Sequence, residues 1–276
     1  MTTLLQIVKR LQELAPREMT VQGLESRVEI GPQTDTEQKN TTVNRVLIAT
    51  YPSARVVTKA SQDKSNLLVT YRPLFPFVID RLSGLDLVRV RLLSKNYIST
   101  YVIGSGWLCA RDGLNDALTE TLGLERISDF TTESDYGQLA GIGRVVKPPG
   151  VKNHSGFANY IASKLNLNTV MFSGDLDDDV GDVLVSAGSH IDMLDIINGR
   201  KQDIKTLVTG ELSPELRLMA NEEGMNTLEL GAFVSEDPGM KRLRDSISLE
   251  FPDLKIDFLA AAPLAQGLKP YKEGMA

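Results

Sequence analysis

The feature that most restricts the fold is an alternation of short apolar, strand-like runs with helical segments. It is sustained along nearly all of the 276 residues with short connections between segments. Residues 43–49 and 66–71 read as strands on either side of a helix over 54–62. Residues 85–94 then read as a helix, 97–103 as a strand, and 114–122 as a helix opened by Asp112-Gly113. After a strand-like 141–146, the second half continues with helices over 156–165, 191–198, 214–223 and 239–251. Strands over 169–172, 182–185, 206–209, 227–230 and 255–259 alternate with them. This order predicts an α/β, mixed α+β fold with helices packed on central sheets. Polar, turn-rich residues at 131–137 suggest a boundary. The reading is therefore one unit of two similar-sized lobes, 1–130 and 140–276, joined by a polar linker near 131–139.

Near the start, Leu4, Ile7, Val8, Leu11 and Leu14 fall at helical spacing behind a cap at Thr2 or Thr3, and Ala15-Pro16 ends the run. That is an amphipathic helix, not the unbroken apolar core of a signal peptide. No window approaches the ~20 apolar residues of a membrane span. With a formal net charge of −6 and no basic run longer than Lys-Arg, no nucleic acid or membrane partner is expected. The one cysteine, Cys109, has no intrachain partner, which favours a reducing, cytoplasmic setting and a packing role.

Few residues are available for chemistry. There are two histidines, so a His- or Cys-rich zinc site cannot be assembled from one chain. His154, in a polar helix-entry loop, and His190, after Ala187-Gly188-Ser189, are expected at the surface or in capping positions. The acidic run from Asp175 to Asp182 lacks the pattern of a calcium loop and reads as a solvated turn. Gly104-Ser105-Gly106 at a strand end could present amides to an anion, but it is neither a phosphate loop nor a nucleophile elbow. Gly141-Ile142-Gly143 is not a dinucleotide fingerprint.

Several stretches, taken in order, are similar to the Nif-three-like family. They are Glu13-Leu14-Ala15-Pro16, Val46–Ala49, the strand into Tyr71-Arg72-Pro73-Leu74, Tyr101, Gly113-Leu114-Asn115-Asp116, Gly141–Arg144, Val208-Thr209-Gly210-Glu211 and Gly231–Glu236. The resemblance implies a dinuclear-metal, ring-like hexamer related to type-two GTP cyclohydrolase. The positions aligned with the family's metal ligands, in its motifs His-His-Pro, His-Thr-x-x-Asp and His-x-x-x-Glu, are here Tyr71, Arg72, Gly104, Leu108, Ala232 and Glu236. Only Glu236 keeps a ligand's chemistry here, and Arg72 has no lone pair to give a metal. The expectation is therefore a family member that has lost its metal site, with no catalytic residue, metal or cofactor. Such a protein would act as a non-catalytic binding or scaffolding homo-oligomer. A vestigial cleft would hold Tyr71, Arg72, Ser105, Trp107, Arg111 and Glu236, with Arg72 either pairing with Glu236 or reaching solvent while Glu236 caps a helix. Two alternatives stay open: a metal-independent enzyme or small-anion or nucleotide binder in which Arg72, Ser105 and Arg111 hold the anion, and a metal-dependent hydrolase with ligands of another kind.

Overall fold

The computed structural model describes residues 1–261. Its strands are β1 (Arg27–Ile30), β2 (Arg45–Ala49), β3 (Leu67–Thr70), β4 (Ser99–Val102), β5 (Glu125–Glu133), β6 (Leu139–Lys147), β7 (Met171–Ser173), β8 (Asp182–Ser186), β9 (Ile204–Thr209), β10 (Asn226–Glu229) and β11 (Lys255–Leu259). Its helices are α1 (Leu4–Leu14), α2 (Asp35–Lys39), α3 (Ala54–Gln62), α4 (Gly84–Lys95), α5 (Ser105–Cys109), α6 (Leu114–Leu122), α7 (His154–Leu165), α8 (Met193–Lys201), α9 (Pro214–Glu222) and α10 (Ala232–Glu250). The strands form two sheets, in the orders β1-β4-β3-β2-β11 and β5-β6-β8-β9-β10-β7. In the first, β4, β3, β2 and β11 run parallel and β1 is antiparallel. In the second, β8, β9 and β10 run parallel, flanked by antiparallel neighbours.

Burial follows from the period-two geometry of the strands. Along β2, Val46 and Ile48 join the core shared with α1, whose Leu4, Ile7, Val8 and Leu11 form its buried stripe. Leu47 and Ala49 point the other way, onto Val56, Val57 and Ala60 of α3. Both faces are covered, so β2 and β3 read as continuous apolar runs. Helix α1 starts at a capping box in which Thr3 and Gln6 satisfy each other's backbone amides. Helix α6 packs on the second sheet and α10 on β2 and β11, and the two helices meet. At their closest approach a Cβ on Gly239 would lie 2.3 Å from a Leu114 methyl carbon, so only glycine fits there.

Three expectations about organisation change. Residues 131–139 are not a linker but the end of β5, a tight turn and the first residue of β6, a hairpin that Ser134 closes through its backbone and hydroxyl bonds with Gln138. The division at 140 fails as well, because β5 belongs to the second sheet while β11 returns to lie beside β2 in the first; the end of the proposed second lobe, 262–276, lies outside the described residues. Finally, α10 begins at Ala232, seven residues before the expected start, with Pro238 inside it. Proline costs one backbone hydrogen bond, and the buried face of Ser235, Glu236, Gly239, Met240, Leu243 and Ile247 overrides that cost.

Candidate functional site

In parallel sheets, side chains just beyond the carboxyl ends of the strands converge on the natural ligand crevice. Here the ends of the two sheets supply facing residues. Tyr71 and Arg72 follow β3, Thr50 and Tyr51 follow β2, Gly188-Ser189-His190 follow β8, and Glu236 and Asp237 come from the second turn of α10 beyond β10.

Arg72 and Glu236 make the central contact. Arg72 Nε donates to both carboxylate oxygens of Glu236 at 3.1 Å, and Nη2 donates to Oε1 as well. Nη2 also reaches Ser189 Oγ at 3.4 Å. The guanidinium lies 5.4 Å over the Phe233 ring, which stacks in turn on Tyr51 at 5.5 Å. The Glu236 side chain is wholly buried, whereas Arg72 keeps about a quarter of its side chain (24%) in solvent. Burial pushes the Glu236 carboxyl up to about 7, against the pull of Arg72. Burial also disfavours the Arg72 cation, but bonding to Glu236 more than offsets it and leaves the guanidinium above its ordinary value. Above about pH 7 the two therefore form a charged, multiply hydrogen-bonded pair. The pairing takes the place of a solvent-facing Arg72 and a capping Glu236.

A second buried chain of contacts backs this pair. The Tyr71 hydroxyl is 2.8 Å from His190 Nε2, and His190 Nδ1 is 2.9 Å from Gln22 Oε1. Because Gln22 Nε2 donates to the His190 carbonyl at 2.8 Å, its Oε1 is fixed as the acceptor. His190 thus carries its proton on Nδ1, and Tyr71 donates to Nε2. Burial, followed by the nearby Arg72 charge, lowers His190 to about 3, so the ring is neutral across the physiological range. Burial holds the Tyr71 phenol well above its usual value, with the Glu236 charge adding to the effect. Gly188 makes room for the arrangement: its φ is +76°, and a Cβ there would sit 2.6 Å from Glu236 Oε1 and 3.1 Å from the His190 ring.

Both histidine expectations are overturned. His190 is a buried member of this cluster. His154 is a buried core residue whose ring nitrogens lie 3.0 Å from the Asp178 carbonyl and 2.8 Å from Thr206 Oγ1. Of the six expected cleft residues, Tyr71, Arg72 and Glu236 come together and the others turn elsewhere. Ser105 Oγ exchanges hydrogen bonds with the Val21 backbone at 2.8 and 2.9 Å, Trp107 Nε1 donates to the Gly239 carbonyl at 3.3 Å, and Arg111 is exposed. Gly104, with φ +70°, presses on the Leu24 carbonyl, where a Cβ would come within 2.3 Å. Leu108 and Ala232 are buried apolar residues. The acidic turn at 175–179 is exposed.

The donor set does not suit a pair of metal ions. Among the described residues, no group of three or more His, Cys, Asp or Glu side chains converges to hold one. Glu236 is engaged by a guanidinium, Nε2 of His190 is taken by Tyr71, and the Tyr71 phenol stays protonated. Two surface concavities, of about 520 and 250 Å³, are lined by neither Arg72 nor Glu236.

Two mixed α/β sheets in this element order define the class of protein. The chain belongs to the Duf34/NIF3 (NGG1p interacting factor 3) family, whose model matches residues 2–263. It is 26% identical over 260 residues to the "GTP cyclohydrolase 1 type 2 homolog" of Clostridium perfringens, covering 92% of this chain and 94% of that one. The protein of the same description from Methanocaldococcus jannaschii is 23% identical over 256 residues, with 92% and 98% covered. Among solved structures, Staphylococcus aureus protein SA1388 superposes with a TM-score of 0.81 at 16% identity, over 97% of this chain and 99% of that one. Reduced HcgD from Methanocaldococcus jannaschii gives 0.75 at 22% identity, over 94% and 98%. At these identities the structures establish a shared fold.

Proposed function

We propose that this chain is a NIF3-family protein whose strand-end site is closed by its own Arg72–Glu236 pair, and that it acts as a non-catalytic binding or scaffolding oligomer. The observation that carries this reading is the Arg72 guanidinium bonded to both oxygens of a wholly buried Glu236. A two-ion hydrolytic centre needs several lone-pair donors around each ion to lower the pKa of a bound water. Of the two carboxylates gathered here, Glu236 is occupied by a permanent cation, and Asp237 accepts from the Thr50 hydroxyl and the Ala261 amide. The relatives named as GTP cyclohydrolase homologues make hydrolysis the rival reading. It lacks a general base, because the neutral His190 faces the Tyr71 hydroxyl and Gln22. The anion-binding alternative is weakened because the Ser105 hydroxyl is taken by the Val21 backbone and the Arg72 guanidinium by Glu236.

Self-association is supported by an apolar surface running from the loop after β3 into α4. Phe77, Val78, Ile79, Leu82, Leu85 and Val88 are all exposed there. A second copy of the chain would cover them, as in the hexamer that the family resemblance implies. Light scattering after size exclusion, together with a GTP turnover assay with and without added divalent metal, tests the proposal. A multimer without metal-dependent turnover is expected; a monomer, or turnover that metal restores, would overturn it.

A further inference from the structure

Helix α4 is apolar on both faces. On one side Leu93 is buried in the core that holds Val56, Val57 and Ala60 of α3, and Val90 and Leu92 pack against that core. On the other side Leu85 and Val88 are exposed, one turn apart, with the half-buried Leu92 a turn further on, so the three form a stripe. The loop leading into the helix adds Phe77, Val78, Ile79 and Leu82. A helix that is apolar all round is normally buried. Here six large apolar side chains, exposed by 40% to 104%, leave on the order of 600 Å² of apolar surface, the upper end of what a free monomer carries. The face is also held in place. Arg89, beneath it, donates to the Pro52 carbonyl at 3.0 Å, pairs with Asp86, and lies over the Tyr51 and Phe75 rings at 5.8 and 5.9 Å. A fixed face loses little conformational freedom when it is covered.

The size and the charges of this face fit a second copy of the chain. The core of an interface between identical subunits is about 65% apolar, so ~600 Å² of apolar surface belongs to an interface of ~900 Å² per partner, against ~800 Å² for one of standard size. The charges set the direction of the contact. Arg91 and Lys95 are exposed in the C-terminal half of α4, whereas Asp80 is exposed ahead of its N-terminus, bonded at 3.4 Å to its equally exposed neighbour Arg81. Two α4 helices laid side by side in the same direction would set Arg91 and Lys95 against their own copies and gather four cations. Laid antiparallel, they hold these cations at opposite ends, each toward the Asp80 of the other copy, and their dipoles attract. Leu85 of one copy then faces Leu92 of the other, and Val88 lies near a two-fold axis. Such a contact is self-complementary and closes on itself.

We propose that α4 and the loop before it dock on the same surface of a second copy of the chain, with the two helices antiparallel about a two-fold axis near Val88. This rests on the self-association proposed above and supplies its surface and direction. The test is cysteine cross-linking of the full chain, whose native Cys109 is buried. In an antiparallel pair Val88→Cys meets its own copy. Leu85→Cys, three residues from the axis, is held ~9 Å from its copy along the helix direction alone, beyond the ~7 Å that a disulfide allows between Cα atoms. Oxidation with diamide should therefore link most of Val88→Cys into dimers and little of Leu85→Cys, while an equal mixture of Leu85→Cys and Leu92→Cys should give the mixed dimer. Leu85→Glu, at an exposed position, should keep the fold by circular dichroism and weaken self-association at least tenfold by light scattering across a dilution series. A multimer in which Val88→Cys stays unlinked, or in which Leu85→Cys links as readily as Val88→Cys, would overturn the antiparallel contact and leave self-association standing. A multimer that Leu85→Glu leaves intact would do the same. A monomer at every concentration would overturn both.

Discussion

Replacing Arg72 with methionine removes the cation, and with it the guanidinium's contact over Phe233, leaving the Glu236 carboxylate buried and uncompensated. Breaking a buried pair in this way costs ~3–5 kcal/mol, a large part of the ~5–15 kcal/mol that holds a typical domain folded. At ~2–4 °C per kcal/mol for a chain near this size, the melting temperature should fall by roughly 10 °C. The loss should also depend on pH. Burial already raises Glu236 to about 7 with Arg72 in place. A carboxyl whose folded-state value lies above its unfolded value contributes stability that is present below the unfolded value and lost as pH rises through the folded one. Without Arg72 the deficit should therefore be small near pH 5 and grow above pH 7. Urea denaturation of the parent, Arg72→Met and the Arg72→Met/Glu236→Leu double variant at pH 5 and pH 8 measures this, and the double variant should regain most of the loss. A cost below ~1 kcal/mol for Arg72→Met at pH 8, or one that does not change with pH, would refute the claim that the pair is buried and mutually dependent.

Three further changes probe the layer behind the pair. His190 is lowered to about 3 from 6.5, so its contribution is present above pH 6.5 and is lost as pH falls toward 3. The stability advantage of the parent over His190→Gln should shrink by ~2 kcal/mol between pH 7.5 and pH 5, read from paired urea curves. Tyr71→Phe leaves His190 Nε2 without its donor and should cost ~1–3 kcal/mol by the same measurement. Gly188→Ala places a methyl group against Glu236 at a positive φ, and the backbone strain alone should cost ~1–3 kcal/mol of thermal stability.

The parallel strands were legible because β2 and β3 are buried on both faces and leave unbroken apolar runs, and α3 and α6 because Ser53 and Gly113 mark their starts. Strand β5 was not legible. It is an edge strand with most side chains in solvent, so its sequence reads as a polar stretch, and only its pairing with β6 makes it a strand. Pro238 hid the start of α10, and with it the helical placement of Glu236. Arg72 and Glu236 could be singled out from their positions in the family motifs. The role of His190 could not, since it depends on β8 ending opposite β3, a relation between residues 119 apart. A sequence signal for it does exist at the strand ends, where Gly188-Ser189-His190 stands after β8 as Tyr71-Arg72 stands after β3.

The central claim is that a guanidinium, not a metal, satisfies Glu236. Elemental analysis of protein purified without chelator, repeated after dialysis against zinc, manganese and iron(II), tests it most directly. Transition-metal content well below one ion per chain is expected in every preparation, for the parent and for Glu236→Gln alike. Near-stoichiometric metal that stays with the parent and is lost in Glu236→Gln would contradict it.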